Sequence, residues 1–121
     1  MISHYRAETE HYTPERCFIN ELYQSRENEE CSIARARVTS GATTKLHALQ
    51  GIDERYVILE GEGLVEVDGK PPEPVSYLDV ITIPAGKPQR ITNTGRSDLI
   101  FLCVCTPRFR PECYMDLSGI E

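Results

Sequence analysis

The chain has 121 residues, of which 40% are hydrophobic and 26% are charged, and its formal net charge is −6. A chain of this length supports a single core, so we expect one domain over residues 1–121. Its acidic balance argues against nucleic acids and anionic membrane surfaces as partners, and its longest apolar run, Leu99 to Cys105, is too short to cross a bilayer.

The first 30 residues are expected to form an N-terminal arm. Residues 1–16 are polar and irregular, and Pro14 interrupts any helix. Cys17 to Tyr23 has the composition of a short strand. The charged run from Arg26 to Glu30 indicates a solvated loop.

Short strands are predicted through residues 31–105, the expected core of the domain. They are rich in β-branched or aromatic residues and are bounded by turn-forming residues. The predicted strands are Cys31–Val38, Glu54–Glu60, Leu64–Val67, Leu78–Ile83, Gln89–Asn93 and Leu99–Cys105. Asp68-Gly69 is a strong hairpin signal, and the prolines within residues 71–74 indicate a stiff loop. With no convincing amphipathic helix, the pattern predicts an all-β antiparallel sandwich or barrel, and residues 106–121 are expected to form a tail on its surface.

The strand that begins at Glu54 indicates how the chain assembles. If Glu54 points inward, so do Tyr56 and Ile58, whereas Val57 and Leu59 point outward. This strand is therefore apolar on both faces, and its outer face requires a cover. Because the arm is too polar to cover all of it, we predict a homodimer.

The chain has five cysteines, and their number indicates the redox state of its compartment. The odd count and the lack of a secretory signal at the N-terminus favour a reducing compartment, and we predict a cytoplasmic location. Cys103 and Cys105 share one face of a strand about 6.5–7 Å apart, at or beyond the reach of a relaxed disulfide. No second pair of ligands completes a metal site with them, so we expect buried, inert thiols.

Two groups of residues carry ligand-type side chains between turn residues. The first group is Gly41, His47, Glu54 and Gly61, and the second is Pro84, Gly86, Gln89 and Asn93. Their spacing resembles the two sequence motifs of the cupin superfamily and implies its fold, a double-stranded β-helix or jelly-roll barrel. Leu49, Leu78 and Gln89 depart from the motifs, because the family has histidine, glycine and histidine there. Gln50 is a further candidate to replace the ligand lost at Leu49.

The resemblance implies a metal site inside the barrel, with His47, Glu54 and Gln89 as candidate ligands. His47 and Glu54 are also the catalytic candidates. The alternatives are a hydrogen-bonded structural histidine, a glutamate paired to an arginine at the rim, and a glutamine bound to the backbone. One imidazole, one carboxylate and one amide oxygen favour a divalent Mn or Fe ion over Zn, Cu or Ni. A metal-free pocket is the other possibility.

Tyr56 and Asn93 are candidate residues of a substrate pocket. The Tyr56 hydroxyl offers a hydrogen bond, although a core tyrosine with a satisfied hydroxyl explains it equally simply. The family counterpart of Asn93 helps to hold its strand. Arg35 and Arg37 would meet an anionic ligand if they pointed inward, whereas strand parity turns Arg90 outward.

Several functions are compatible with this pattern, since one fold hosts many chemistries. The first is a metal-assisted enzyme acting on a small polar metabolite, a sugar or an oxo acid, as an isomerase, epimerase or dioxygenase-like cupin. The second is a metal-free small-molecule-binding module without catalysis. The third is a structural dimer with a vestigial site. His47 and Glu54 favour the first function, and Leu49 and Gln89 favour the second, so enzymatic activity is left open.

Overall fold

The computed structural model describes residues 1–25 and 28–120, which form eleven strands and three short 3-10 helices. The strands are β1 (His11–Tyr12), β2 (Phe18–Ser25), β3 (Asn28–Val38), β4 (His47–Leu49), β5 (Asp53–Glu60), β6 (Gly63–Val67), β7 (Glu73–Val75), β8 (Val80–Ile83), β9 (Gln89–Asn93), β10 (Leu99–Thr106) and β11 (Tyr114–Asp116). The 3-10 helices are Ala7–Thr9, Pro111–Cys113 and Ser118–Ile120. The prediction of an all-β antiparallel fold is confirmed.

The strands form two antiparallel sheets around a shared core. The first sheet has the order β1-β2-β3-β10-β5-β8, and the second has the order β11-β4-β9-β6-β7. Phe101 and Ile58 from the first sheet pack in one apolar cluster with Ile91 and Val65 from the second. This is the two-layered arrangement of a jelly roll. Within the described residues, no helix is long and apolar enough to span a membrane.

Alternation along β5 and β9 agrees with the predicted faces. Glu54, Tyr56 and Ile58 are buried, whereas the residues between them are half-buried on the opposite face. In β9, Gln89 and Asn93 are buried together with the isoleucine between them. Glu54 therefore enters the core from the first sheet, and Gln89 enters it from the second.

The segment predicted as an N-terminal arm contributes strands to the first sheet. The strand expected from Cys17 to Tyr23 is β2, which pairs with β3. The predicted loop at residues 26–30 is different, since β3 already begins at Asn28. Arg26 and Glu27 lie outside the described residues.

The tail also differs from the sequence-based expectation of a purely surface segment. Its strand β11 pairs with β4, with Tyr114 opposite Leu49 and Asp116 opposite His47. Each of these strands is three residues long, too short to show a period-two pattern. The pairing makes the tail an edge strand of the second sheet, beside the candidate site.

Two turn positions show how the sequence fixes the backbone. Asp68 and Gly69 have φ of 58° and 70°, and the Lys70 amide donates to the Val67 carbonyl at 3.2 Å, so the predicted hairpin turn after β6 is confirmed. Leu78 has φ of 65° where the cupin motif carries a glycine. A leucine in this region is strained, because its Cβ crowds the backbone.

We predict that Leu78→Gly stabilises the chain. The left-handed conformation costs a non-glycine residue about 1–2 kcal/mol. Glycine avoids this cost but destabilises the folded chain by about 0.5–1 kcal/mol, because it loses more backbone entropy on folding. Leu78 is 56% exposed, so little packing is lost. Urea unfolding should show a gain of about 0.5–1 kcal/mol. Tyr77→Gly, at the exposed neighbouring residue, is the control, and its free energy of unfolding should fall. If Leu78→Gly also lowers the free energy of unfolding, the backbone at Leu78 is not strained.

Candidate functional site

His47 is held inside the barrel by contacts on both ring nitrogens. It opens β4 and is 3% exposed. Its Nδ1 lies 2.7 Å from the Lys45 carbonyl oxygen, and its Nε2 lies 2.9 Å from Oε1 of Glu15. The ring of Tyr114 stacks on the imidazole, with centroids 5.2 Å apart and an interplanar angle of 17°. The orientation of His47 is therefore fixed by both ends of the chain and by its own strand.

These contacts determine the charge of His47. Burial lowers the pKa of the imidazole, but the hydrogen bond and charge of Glu15, the Lys45 carbonyl and the charge of Glu54 outweigh burial and raise the pKa above its ordinary value. Both ring nitrogens face acceptors, and only the doubly protonated imidazolium donates to both. His47 and Glu15 thus form an enclosed, charge-assisted ion pair.

Glu15 is the site residue that sequence reasoning missed. A turn from Thr13 to Cys17 presents it, closed by hydrogen bonds from the Thr13 amide to the Cys17 carbonyl at 2.9 Å and from the Arg16 amide to the Thr13 carbonyl at 3.1 Å. Proline at residue 14 signals a turn in this polar segment. No spacing rule connects the turn to a histidine in a distant strand, so its target is visible only in the fold.

Glu54, Gln89 and Tyr56 form a second group that joins the two sheets. Gln89 Nε2 donates to Glu54 Oε1 at 2.6 Å, and the Tyr56 hydroxyl donates to Gln89 Oε1. The thiol of Cys105 lies 3.7 Å from the other carboxyl oxygen of Glu54. All four side chains are buried. The Gln89 amide is therefore satisfied by side chains of the opposite sheet rather than by backbone.

Burial governs the protonation of Glu54. It raises the pKa of the carboxyl group, and the Gln89 hydrogen bond and the charge of His47 lower it only in part. Each of Glu54 and His47 shifts the pKa of the other, which places both in one electrostatic unit. Both carboxyl oxygens of Glu54 accept, from Gln89 Nε2 and from the Cys105 thiol, so the group is held by hydrogen bonds inside the core.

Asn93 and Arg90 lie away from this unit. Asn93 Nδ2 donates to the carbonyls of Val38 at 2.9 Å and Ser97 at 2.8 Å, and its Oδ1 accepts from the Gly95 amide at 2.9 Å. These bonds hold the end of β9. Arg90 faces outward, as strand parity predicts, and its Nε lies 2.7 Å from a carboxylate oxygen of Glu66.

The remaining polar candidates are on the outside of the barrel. Arg35 and Arg37 bind the Glu10 carboxylate, at 3.2 Å and 2.7 Å, so neither points toward an interior ligand. Gln50 is exposed, whereas Leu49 is 4% exposed and packs with Ile52. Gln50 therefore does not replace the missing histidine, and Leu49 belongs to an apolar cluster.

A cleft of about 1070 Å³ opens elsewhere on the molecule, between β6, β7 and β8. Its lining includes Val67, Val75 and Ile81, with Lys70 and Lys87 at the rim. None of the residues around His47 and Glu54 lines it. The candidate site is the enclosed polar interior, because His47, Glu54 and Gln89 are buried there together and the pKa values of His47 and Glu54 are shifted.

The donor set can be tested for its fit to a divalent metal. A metal needs a lone pair on His47, whereas both nitrogens of its ring already face hydrogen-bond partners. The Gln89 carbonyl accepts from Tyr56, and the Gln89 amide donates to Glu54. In residues 1–25 and 28–120, no three His, Cys, Asp or Glu side chains are arranged to share an ion. As arranged, these residues do not fit a divalent metal, and metal ligation by His47, Glu54 and Gln89 stays a prediction.

Comparison with known proteins establishes the family. Residues 34–105 match the cupin domain family, and the chain belongs to it. An uncharacterised protein of Methanocaldococcus jannaschii is 40% identical over 81 residues, which cover 67% of this chain and 64% of that protein. The oxalate-binding protein of Thermotoga maritima is 39% identical over 71 residues, 59% of this chain and 58% of that protein. The chain thus spans less than two thirds of the length of either relative.

Solved structures agree with this assignment. A predicted oxalate decarboxylase of Thermotoga maritima superposes with a TM-score of 0.69 at 32% identity, covering 75% of this chain and 80% of that one. A nucleoside dehydratase of Streptomyces superposes with a TM-score of 0.78, covering 94% and 89%, but at 14% identity. The dehydratase likeness shows the fold alone.

We predict that Glu54→Gln changes how stability depends on pH. The folded chain binds a proton at Glu54 more tightly than the unfolded chain, whose carboxyl pKa is about 4.3. The stability from this protonated carboxyl is complete below that pH and is lost as pH rises through the raised folded pKa. Urea unfolding should show wild type losing stability relative to Glu54→Gln above about pH 4.3.

Glu73→Gln, which removes an exposed carboxylate on β7, corrects for the general effect of one fewer negative charge. A wild-type curve parallel to that of Glu54→Gln across this range would contradict the raised pKa of Glu54.

Proposed function

We propose that the chain is a metal-free cupin that binds a small carboxylate, an oxo acid or dicarboxylate of the oxalate class, in the interior beside His47. The observation that carries the proposal is that His47 Nε2 already holds a carboxylate, that of Glu15, at 2.9 Å. A buried imidazolium with a bound carboxylate has the chemistry of a carboxylate receptor.

The neighbouring groups support the same ligand class. The hydroxyl of Tyr56 is a second donor in the same interior and would leave Gln89 to reach a ligand. A dicarboxylate has oxygens at both ends and can use the imidazolium and a second donor together. One relative is named an oxalate-binding protein, and a solved neighbour is named a predicted oxalate decarboxylase. Both names concern small dicarboxylate chemistry.

A metal-dependent function would require a different hydrogen-bonding arrangement of the same residues. A Mn or Fe ion at His47, Glu54 and Gln89 requires His47 to lose a proton and Gln89 to release Tyr56. The hydrogen bonds described above favour the arrangement without an ion. Catalysis does not follow from binding: His47 and Glu54 can hold a proton beside a ligand, and whether a bond of that ligand breaks is a separate question for product analysis.

We predict that the purified protein binds oxalate after treatment with chelator, and that His47→Ala weakens binding. Removing a charge-assisted hydrogen bond costs about 1.5–3 kcal/mol, or roughly 10- to 150-fold in Kd. Isothermal titration calorimetry at pH 6 measures the change. His11→Ala, at an exposed histidine of β1, should leave the Kd unchanged.

Metal analysis of the same preparation separates the two alternatives. Oxalate binding that disappears with chelator and returns with Mn²⁺, together with a stoichiometric ion lost in His47→Ala and Glu54→Ala, would replace this proposal by the metal-dependent one. Gln89→His then adds a second imidazole and should tighten metal binding.

We further propose that a second copy of the chain covers the outer face of the first sheet, in a reducing cytoplasm compatible with its free thiols. Leu102, Val57 and Val80 lie side by side across β10, β5 and β8 on that face. Val80 is 61% exposed, and Val57 and Leu102 beside it are half-buried. A contiguous apolar surface of this kind marks an interaction site.

Light scattering at micromolar concentration should therefore give twice the mass of one chain. Val57→Glu places a charge in the centre of the proposed contact and should yield monomers, because an unpaired charge in a buried interface is costly. Thr94→Glu, at an exposed loop position outside that face, is the control and should stay dimeric. A monomeric wild-type protein would remove the proposed dimer.

A further inference from the structure

The carboxylate on His47 comes from a part of the chain that is only lightly attached to the barrel. Glu15 lies in the turn from Thr13 to Cys17, and its backbone carbonyl accepts from the Lys45 amide at 3.1 Å. A longer contact, 3.4 Å, joins Arg16 to the Thr43 carbonyl. The Glu15 side chain is 20% exposed, whereas the imidazole that it contacts is 3% exposed. The turn thus lies between His47 and solvent.

The backbone of this turn is held in an uncommon conformation. Arg16 has φ of 72°, in the left-handed region that favours glycine, and its side chain is exposed. Cys17, the next residue, is 2% exposed and marks the point at which the chain enters the core. Only the ends of the turn are fixed by sheet structure, since β1 ends at Tyr12 and β2 begins at Phe18. The turn can therefore move without breaking a strand pairing.

We propose that Glu15 is an internal competitor for the ligand's carboxylate, and that residues 13–16 of the turn move away from His47 when the ligand binds. This inference rests on the proposed function, since it requires a carboxylate ligand at His47 Nε2. Two carboxylates cannot accept the same N–H in the same place, so the ligand must displace Glu15. A tethered group competes at an effective concentration on the order of millimolar or higher, which weakens the apparent affinity of every free carboxylate.

Removing the competitor should strengthen binding. Glu15→Ala should bind oxalate at least tenfold more tightly than wild type in calorimetry at pH 6, because binding no longer includes displacement of the turn. Glu10→Ala is the matched control, because Glu10 lies on the same segment but pairs with Arg35 and Arg37 on the outer face. It removes the same charge without touching the site and should bind as wild type does.

Movement of the turn can be measured separately from binding, by the reactivity of Cys17. Cys17 is the buried last residue of the turn, so its rate of modification by a maleimide, followed by peptide mass mapping, reports opening of the turn. Oxalate should increase the Cys17 rate in wild type. Glu15→Ala should show a faster Cys17 rate than Glu10→Ala even without oxalate, because the turn has lost its contact with His47.

The outcomes separate this inference from the proposed function. If wild type binds oxalate but Glu15→Ala binds no more tightly, the competitor is overturned while the proposed function stands. If no variant binds oxalate, the proposed function is overturned, and the competitor is overturned with it because it requires a carboxylate ligand. An equal Cys17 rate in Glu15→Ala and Glu10→Ala overturns the moving turn whether or not oxalate binds.

Discussion

A carboxyl group inside a protein must be hydrogen bonded or lose its charge, and in this chain the requirement falls on Glu54. Gln89 supplies the hydrogen bond to Glu54 from the opposite sheet. Its backbone pairs with His47 in the second sheet, while its side chain donates to Glu54 in the first and accepts from Tyr56. One buried amide thus fixes the position of the acidic group, the phenol and the strand that carries the imidazole. Gln89 also limits how far burial raises the pKa of Glu54, and the charge of Glu54 contributes to the raised pKa of His47.

The departures from the cupin motifs are structurally connected. Leu49 stands where the family has a histidine, and it packs with Ile52, Cys105 and Tyr114 in a separate apolar cluster. Tyr114 in turn stacks on His47. Losing an imidazole at residue 49 therefore gives the tail an apolar surface on which to dock. Gln89 replaces another ligand by a bridge between the sheets, so both changes convert ligand positions into internal contacts.

The sequence predicted the strands and their faces well, because alternation and turn residues act locally. Period-two geometry places Tyr56 and Ile58 on the same face as Glu54, and all three are buried. The contacts of His47 could not be predicted. Glu15 lies in an irregular turn and Tyr114 in a three-residue strand, and neither leaves a pattern in the sequence. Such long-range contacts follow from how the segments pack in three dimensions, which spacing does not encode.

Strand β11, which pairs with β4, is synthesised long after β4. Residues 114–116 are synthesised well after residues 47–49, so a chain emerging from the ribosome carries His47 without its aromatic cover. Until β11 pairs with β4, Tyr114 cannot stack on the imidazole. The stacked pair of His47 and Tyr114 therefore forms later than the motif that carries the imidazole.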